Sequence, residues 1–290
     1  MTEPTSAGAT LASEWGLPRL GARPPMADYL RRLWGRRHFT WELARSRFRA
    51  ENEQYRLGIA WVVLRPTLNA LVYGLVFGLI MAGSDSRPDP FIPYLLTGVF
   101  VFSFFSSCLA DGSKAIVGSM GLMRTLHFPR VVLPLAKVLQ NLMALGPMMA
   151  VLALLILLSG VSLRWSWLEI FPALALMFVF CLGVAMIAAR LTIHVQDITN
   201  LIPFVNRLLF YVSGIFFSIS NLPVDIPVLK TLLAYNPTHV YISLVRHGML
   251  DKDEGYHYGA MWLAATLWAV CFCVGGFIFF WRAEERYGRT

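Results

Sequence analysis

The residues able to do chemistry in this sequence gather at the margins of its apolar stretches. Asp111, Glu169 and Asp197 stand where such stretches end, and none of the stretches carries a carboxylate in its middle. Ion-coupled transporters place acids at depth as relays, since ionisable groups there are too costly to keep without a task. Ion coupling is therefore not expected. Catalysis inside the stretches is not expected either, because it needs paired acids or a cluster of metal-binding side chains, and no metal site is read. Lys114, Lys137, Lys230 and Lys252 each follow a residue other than glycine, so no phosphate-cradling G-x-x-x-x-G-K-[ST] loop occurs. Nucleotide-driven work would need another polypeptide. Cys108, Cys181, Cys271 and Cys273 all fall within apolar stretches and read as packing residues.

Aromatic side chains are the remaining candidates. Tyr73, Phe77, Tyr94, Phe100, Phe104, Phe210, Tyr211 and Phe217 are prominent among them. Any one aromatic is more often a packing or lipid-facing residue than a functional one. As a set they could line a passage for sugar rings, whose C–H faces stack on aromatic faces, and such a passage would form between two copies of the chain.

These residues must be positioned by membrane helices. The 290 residues are 57% hydrophobic and 14% charged, with a mean hydropathy of +0.57, far more apolar side chain than a soluble core requires. Six stretches suit a bilayer crossing: Pro66–Ala82, beginning upstream near Ile59, then Phe91–Ala110, Val138–Leu158, Ile170–Ala189, Leu201–Ile219 and Met261–Trp281. The fold class is an all-α membrane protein of six transmembrane helices. Ten arginines precede Ile59, and basic residues recur at Lys114, Arg124, Arg130, Arg190 and Arg282. The positive-inside rule then puts both termini in the cytoplasm of a multi-pass bacterial inner-membrane protein. The net charge of +8 reflects this asymmetry and contact with anionic lipid, not nucleic-acid binding.

Four segments do not span. Residues 1–25, rich in Pro, Gly and Ala, read as a disordered cytoplasmic tail without a secretory signal. Within residues 26–58, read as an interface helix and gate region, Met26–Phe48 carries Leu30, Leu33, Trp34, Trp41, Ala44 and Phe48 on one helical face with arginines around the rest, a helix lying flat in the interface as an anchor or as a lateral gate for lipid. Between Gly112 and Leu133 a short apolar-basic helix ends at Pro129; it either packs on its own protein or docks into another. Beyond the fifth stretch, Val224–Tyr235 and Thr238–Leu250 are too short to cross and read as re-entrant or interfacial helices, parted by Asn236-Pro237. Residues 59–290 form the six-span domain.

Three runs resemble one family. Arg47–Gly78 carries Arg49, Tyr55, Leu57-Gly58, Trp61 and Pro66. Pro93–Leu135 opens with Pro93-Tyr94-Leu95-Leu96-Thr97-Gly98 and closes with His127-Phe128-Pro129-Arg130 and Leu133-Pro134-Leu135. Ala189–Met249 contains Gln196-Asp197, Leu222-Pro223, Asn236-Pro237 and Arg246. In these the chain resembles the ATP-binding-cassette type-two permeases that export O-antigen, teichoic acid and capsule, and its arginine-rich style is most similar to the mycobacterial and actinobacterial galactan exporters. The chain departs from the pattern at Gln196, where the family usually has arginine, and at Gly214, where it often has proline.

The resemblance implies a non-enzymatic permease subunit that moves a polyprenyl-diphosphate-linked polysaccharide. It would work as a homodimer with two copies of a separate ATPase, which holds the ATP and Mg; this chain holds no cofactor. It also implies a coupling helix at Gly121, Leu122, Met123, Arg124, Leu126, His127 and Phe128, an interface helix at Met26–Phe48, and an outer gate at Asn236, Pro237 and Arg246 within Val224–Leu250. On that reading, charge complementarity makes Arg49, Arg56 and Arg65 guides for the diphosphate at the cytoplasmic entrance, with positive-inside anchoring as the alternative role. A type-two exporter for drugs or small lipids would share this topology, and a membrane enzyme or scaffold is the remaining rival.

Overall fold

In the computed structural model, apolar stretches of the expected lengths become helices. The structure describes residues 25–80, 90–126, 128–219, 226–250 and 257–284. The disordered-tail reading of residues 1–25 falls almost wholly outside them, as do His127 and Leu222-Pro223. The described residues form eleven α-helices and no strand: α1 (Met26–Gly35), α2 (Arg37–Glu53), α3 (Ala60–Ile80), α4 (Phe91–Lys114), α5 (Met120–Thr125), α6 (Val132–Leu158), α7 (Ile170–His194), α8 (Ile198–Val212), α9 (Pro227–Ala234), α10 (Pro237–Leu250) and α11 (Tyr258–Trp281). Five of these, α3, α4, α6, α7 and α11, are long and apolar enough to cross a membrane, and α8 is a shorter sixth apolar helix. The protein is an all-α membrane protein.

Several boundaries differ from the hydropathy reading, each for a local reason. Helix α6 starts at Val132, ahead of the expected Val138; Lys137 and Gln140 lower the hydropathy there but meet polar partners instead of lipid. Helix α4 continues past Ala110 to Lys114, because Asp111 accepts a hydrogen bond from Asn141 at 3.1 Å. Helix α8 stops at Val212, short of the expected Ile219; the chain turns at Gly214, whose φ of +64° suits glycine, and buries Ile215, Phe216 and Ile219. The interface segment is two helices, with Arg36 between them outside helical geometry.

Helix α4 is the hub, packed against α3, α6, α7, α8 and α10. In its most apolar stretch 72% of residues are buried, against 11% for α3 at the periphery. Small residues let backbones approach: a Cβ on Gly112 would come within 2.6 Å of the Ala185 side chain, and one on Gly183 would collide with the Phe272 carbonyl. Close small-residue contacts substitute in lipid for the hydrophobic drive that water provides. Helices α4, α7 and α11 thus form one block.

The short pair α9 and α10 dips into the bundle. The Tyr235 carbonyl, between them, accepts from the Trp268 indole N–H at 3.0 Å, ten residues into α11 and about 15 Å from its start. From there α10 returns, and Ser166 donates to the Gly248 carbonyl at 2.9 Å. Nearly every α10 residue is buried, so the expected re-entrant geometry is present, packed in protein.

Candidate functional site

At the end of the bundle that carries both Met26 and Glu284, three distant segments are laced together. The Tyr29 hydroxyl on α1 donates to Glu284 Oε2 at 3.0 Å and accepts from the Val131 amide at 3.2 Å. The Arg130 amide donates to Glu284 Oε1 at 3.1 Å, and the Arg130 guanidinium donates to the Glu284 carbonyl. Burial holds the Glu284 carboxyl above its ordinary pKa, while Arg130 and Tyr29 pull it back. Around this knot Ile116, Leu133, Met186 and Phe280 form a second apolar core, against which Leu122 and Met123 pack.

The helix expected over Gly121–Phe128 is shorter than read. Helix runs only from Met120 to Thr125, after a 3-10 turn at Val117–Ser119. Leu126 is extended and exposed, and Phe128 leaves the helix to pack on Phe39, with ring centroids 5.3 Å apart. Gly121 and Arg124 face outward.

Above the knot lie two polar hollows. One, of about 340 Å³, is enclosed by α2, α3, α4 and α6. Helix α4 offers it Ser103, Ser107 and Asp111 at four-residue intervals, and Asn141 faces them from α6. Arg65 lines it too, its guanidinium 5.7 Å from the Tyr55 ring and 5.9 Å from the Trp61 ring. The second hollow, of about 380 Å³, shares Glu51, Asp111 and Gln140 with the first and adds Arg47, Lys114 and Lys137. Gln140 joins them, accepting from Lys137 Nζ at 3.1 Å and donating to Glu51 at 2.5 Å. Arg47 donates to Ser119 at 2.8 Å, while its Nη1 is sealed from solvent without a hydrogen-bond partner; burial lowers its pKa.

Of the three arginines expected to guide a diphosphate, only Arg65 lines a hollow; Arg49 and Arg56 are exposed and line neither. The sequence reading missed Arg47, Lys114 and Lys137. Its available signal was the polar stripe Ser103, Ser107, Asp111, spaced for one helix face.

The aromatic candidates divide. Tyr73 and Phe77 from α3 meet Phe210 and Tyr211 from α8 around Phe216: Phe77 stacks on Phe216 at 4.1 Å, Tyr73 lies 5.0 Å from Phe210, and Tyr211 lies 6.0 Å from Phe216. Phe217 is half-buried beside them. Tyr94, Phe100 and Phe104 are instead 3%, 0% and 2% exposed, deep in the protomer's own core.

At the other end Arg246 is wholly buried. It donates to the carbonyls of Gly214 at 2.9 Å, Ile215 at 3.0 Å and Tyr94 at 3.2 Å. Asn236 caps α10 by accepting from the Thr238 amide and hydroxyl at 3.2 and 3.0 Å, and Pro237 supplies the first helical residue.

Residues 40–250 match the ABC-2 type transporter family. The chain belongs to that family. The matched region of this ABC-2 transporter takes in both hollows, the aromatic cluster and Arg246, and leaves α11 outside. Among curated proteins it is similar to the O-antigen export system permease protein RfbA of Klebsiella pneumoniae, 24% identical over 203 residues, covering 70% of this chain and 76% of the relative. The RfbA protein of Myxococcus xanthus is 26% identical over 214 residues, 73% and 80% of the two chains. The polysialic acid transport protein KpsM of Escherichia coli is 23% identical over 220 residues, 74% and 83%.

Proposed function

We propose that this chain is the membrane half of an ATP-driven exporter that moves a polyprenyl-diphosphate-linked polysaccharide, of galactan or O-antigen type, out of the cytoplasm. The observation that carries the reading is its similarity, over about three-quarters of its length, to permeases named for O-antigen and polysialic acid export. Two copies work with two copies of a cytosolic ATPase, which binds the ATP and Mg. Both termini face the cytoplasm, so the knot of Tyr29, Arg130 and Glu284 lies on the motor side. The ATPase docks on α5 and on exposed Leu126, and its push reaches the bundle through Leu122 and Met123 and the core they pack on. The aromatic cluster of α3 and α8 lines the path between the two copies; Tyr94, Phe100 and Phe104, buried within the protomer, leave that role.

The test is to recover the chain from its native membrane with its bound ATPase and then deplete it. Lipid-linked glycan is expected to accumulate on the cytoplasmic leaflet. Normal glycan delivery after depletion, or a drug or small lipid retained in its place, would overturn the reading.

A further inference from the structure

We infer that the two hollows at the motor end form one bipartite site that reads the junction between a diphosphate and the first sugar attached to it. This deepens the proposed function and rests on it. The halves differ in charge. The hollow walled by Arg47, Lys114 and Lys137 sets three cations against the shared carboxylates Glu51 and Asp111, whereas the other sets Arg65 alone against the same two. An anion is favoured in the first and disfavoured in the second. Arg47 is steadied there by the hydrogen bond its guanidinium donates to Ser119 at 2.8 Å. A phosphate oxygen entering that hollow gains charge-assisted hydrogen bonds from the cations that wall it.

The second half has the composition that neutral polyols need. Carboxylates accept from hydroxyls, Asn69 and Asn141 both donate and accept, Ser107 does the same, and the Trp61 ring gives an apolar face. Its volume of about 340 Å³ falls within the roughly 300–1,000 Å³ range of small-molecule sites. Glu51, Asp111 and Gln140 form the shared wall. A ligand must therefore be anionic on one side of that wall and hydroxyl-rich on the other, which is the chemistry of a sugar diphosphate. A bare lipid diphosphate satisfies only the anionic half, and phosphatidylglycerol offers a single phosphate and a short diol in place of a diphosphate and a sugar ring.

The purified full-length protein in nanodiscs is titrated with farnesyl diphosphate, farnesyl-diphosphoryl-N-acetylglucosamine, inorganic pyrophosphate and phosphatidylglycerol. The sugar-bearing probe is expected to bind about tenfold tighter than farnesyl diphosphate, and both should outcompete the other two. Lys137→Met should weaken both prenyl probes by about tenfold, with Lys137→Arg restoring them. Ser107→Val should erase most of the sugar increment and spare the bare diphosphate. If Lys137→Met is not monodisperse, Lys114→Met takes its place. Equal affinity for the two prenyl probes overturns the inference. So does indifference to the lysine variants, or binding of phosphatidylglycerol or pyrophosphate as tight as that of the prenyl probes. Failure of the underlying function looks different: depletion then leaves no lipid-linked glycan behind. Glycan that accumulates on depletion while the probes ignore Lys137 and Ser107 removes the bipartite site alone.

Discussion

Arg246 places its guanidinium carbon 3.4 Å from the ring centre of Tyr94 and donates two N–H groups to the carbonyl of the same residue. One side chain thus ties α10 to the start of α4, while its remaining donors hold the turn after α8. Glycine at 214 follows from this arrangement: the residue sits at a φ of +64° that proline cannot adopt. Gly98 completes the fit, since a Cβ there would lie 2.6 Å from the guanidinium.

Arg246→Met should therefore destabilise the protein by on the order of 3–5 kcal/mol, because several buried carbonyls lose their donors at once. Arg246→Lys should recover only part of this, since an ammonium cannot reproduce the planar fork. Thermal unfolding in detergent measures both; an unchanged midpoint for Arg246→Met would contradict the buried strut.

Gly183→Ala should cost about 1–3 kcal/mol by forcing α7 away from the α11 backbone. Gly275→Ala on the same face-forming stretch is the control, for nothing lies within 4 Å of a Cβ there. Fluorescence-detected size exclusion after heating separates the two, and equal losses would argue against close helix contact.

Tyr29→Phe leaves the Val131 amide and a Glu284 oxygen without their shared hydroxyl, at a cost of about 1–3 kcal/mol. The pH response of the same knot has a definite sign. The folded protein keeps the Glu284 proton above the ordinary value of 4.5. Its contribution is therefore full below that value and is lost as pH rises through the raised folded one. Across that window the unfolding midpoint of the native protein should fall relative to Glu284→Gln. A constant difference between the two would reject a perturbed carboxyl.

Leu126→Asp should leave folding within about 0.5 kcal/mol, as expected of an exposed site. Recovery of the ATPase in pull-downs should nevertheless drop about tenfold or more, the loss typical of a central interface residue. Undiminished recovery would move the docking surface elsewhere.

The apolar run lengths made the spanning helices legible, and the short outer pair as well, because length alone forbids a 14-residue helix such as α10 from crossing. Hydropathy failed where polar residues within a helix meet each other. Lys137 hid the first turn of α6, though Gln140 satisfies it one turn along the same helix, and Asp111 hid the last turn of α4, though Asn141 on another helix satisfies it, a partner that sequence spacing cannot reveal. Arg49, Arg56 and Arg65 stood out as a cluster along the chain, but the hollows recruit Arg65 and Arg47 together with lysines from two other helices. Tyr29 looked like one more residue of an amphipathic stretch, its partner Glu284 lying 255 positions away. Among the aromatics, composition could not say which ones α4, as the hub, would take into the core.

The backbone contacts that join α4, α7 and α11 also divide the molecule mechanically. Glycines seated directly on Ala185 and on the Phe272 backbone leave no compliant layer between the helices, so this trio is expected to act as a stator, with motion during a cycle falling to α3 and α8 on its flank. Spin labels both placed within the trio would report one fixed separation in every nucleotide state. A pair spanning Leu75 on α3 and Val274 on α11, both exposed, would register the stroke.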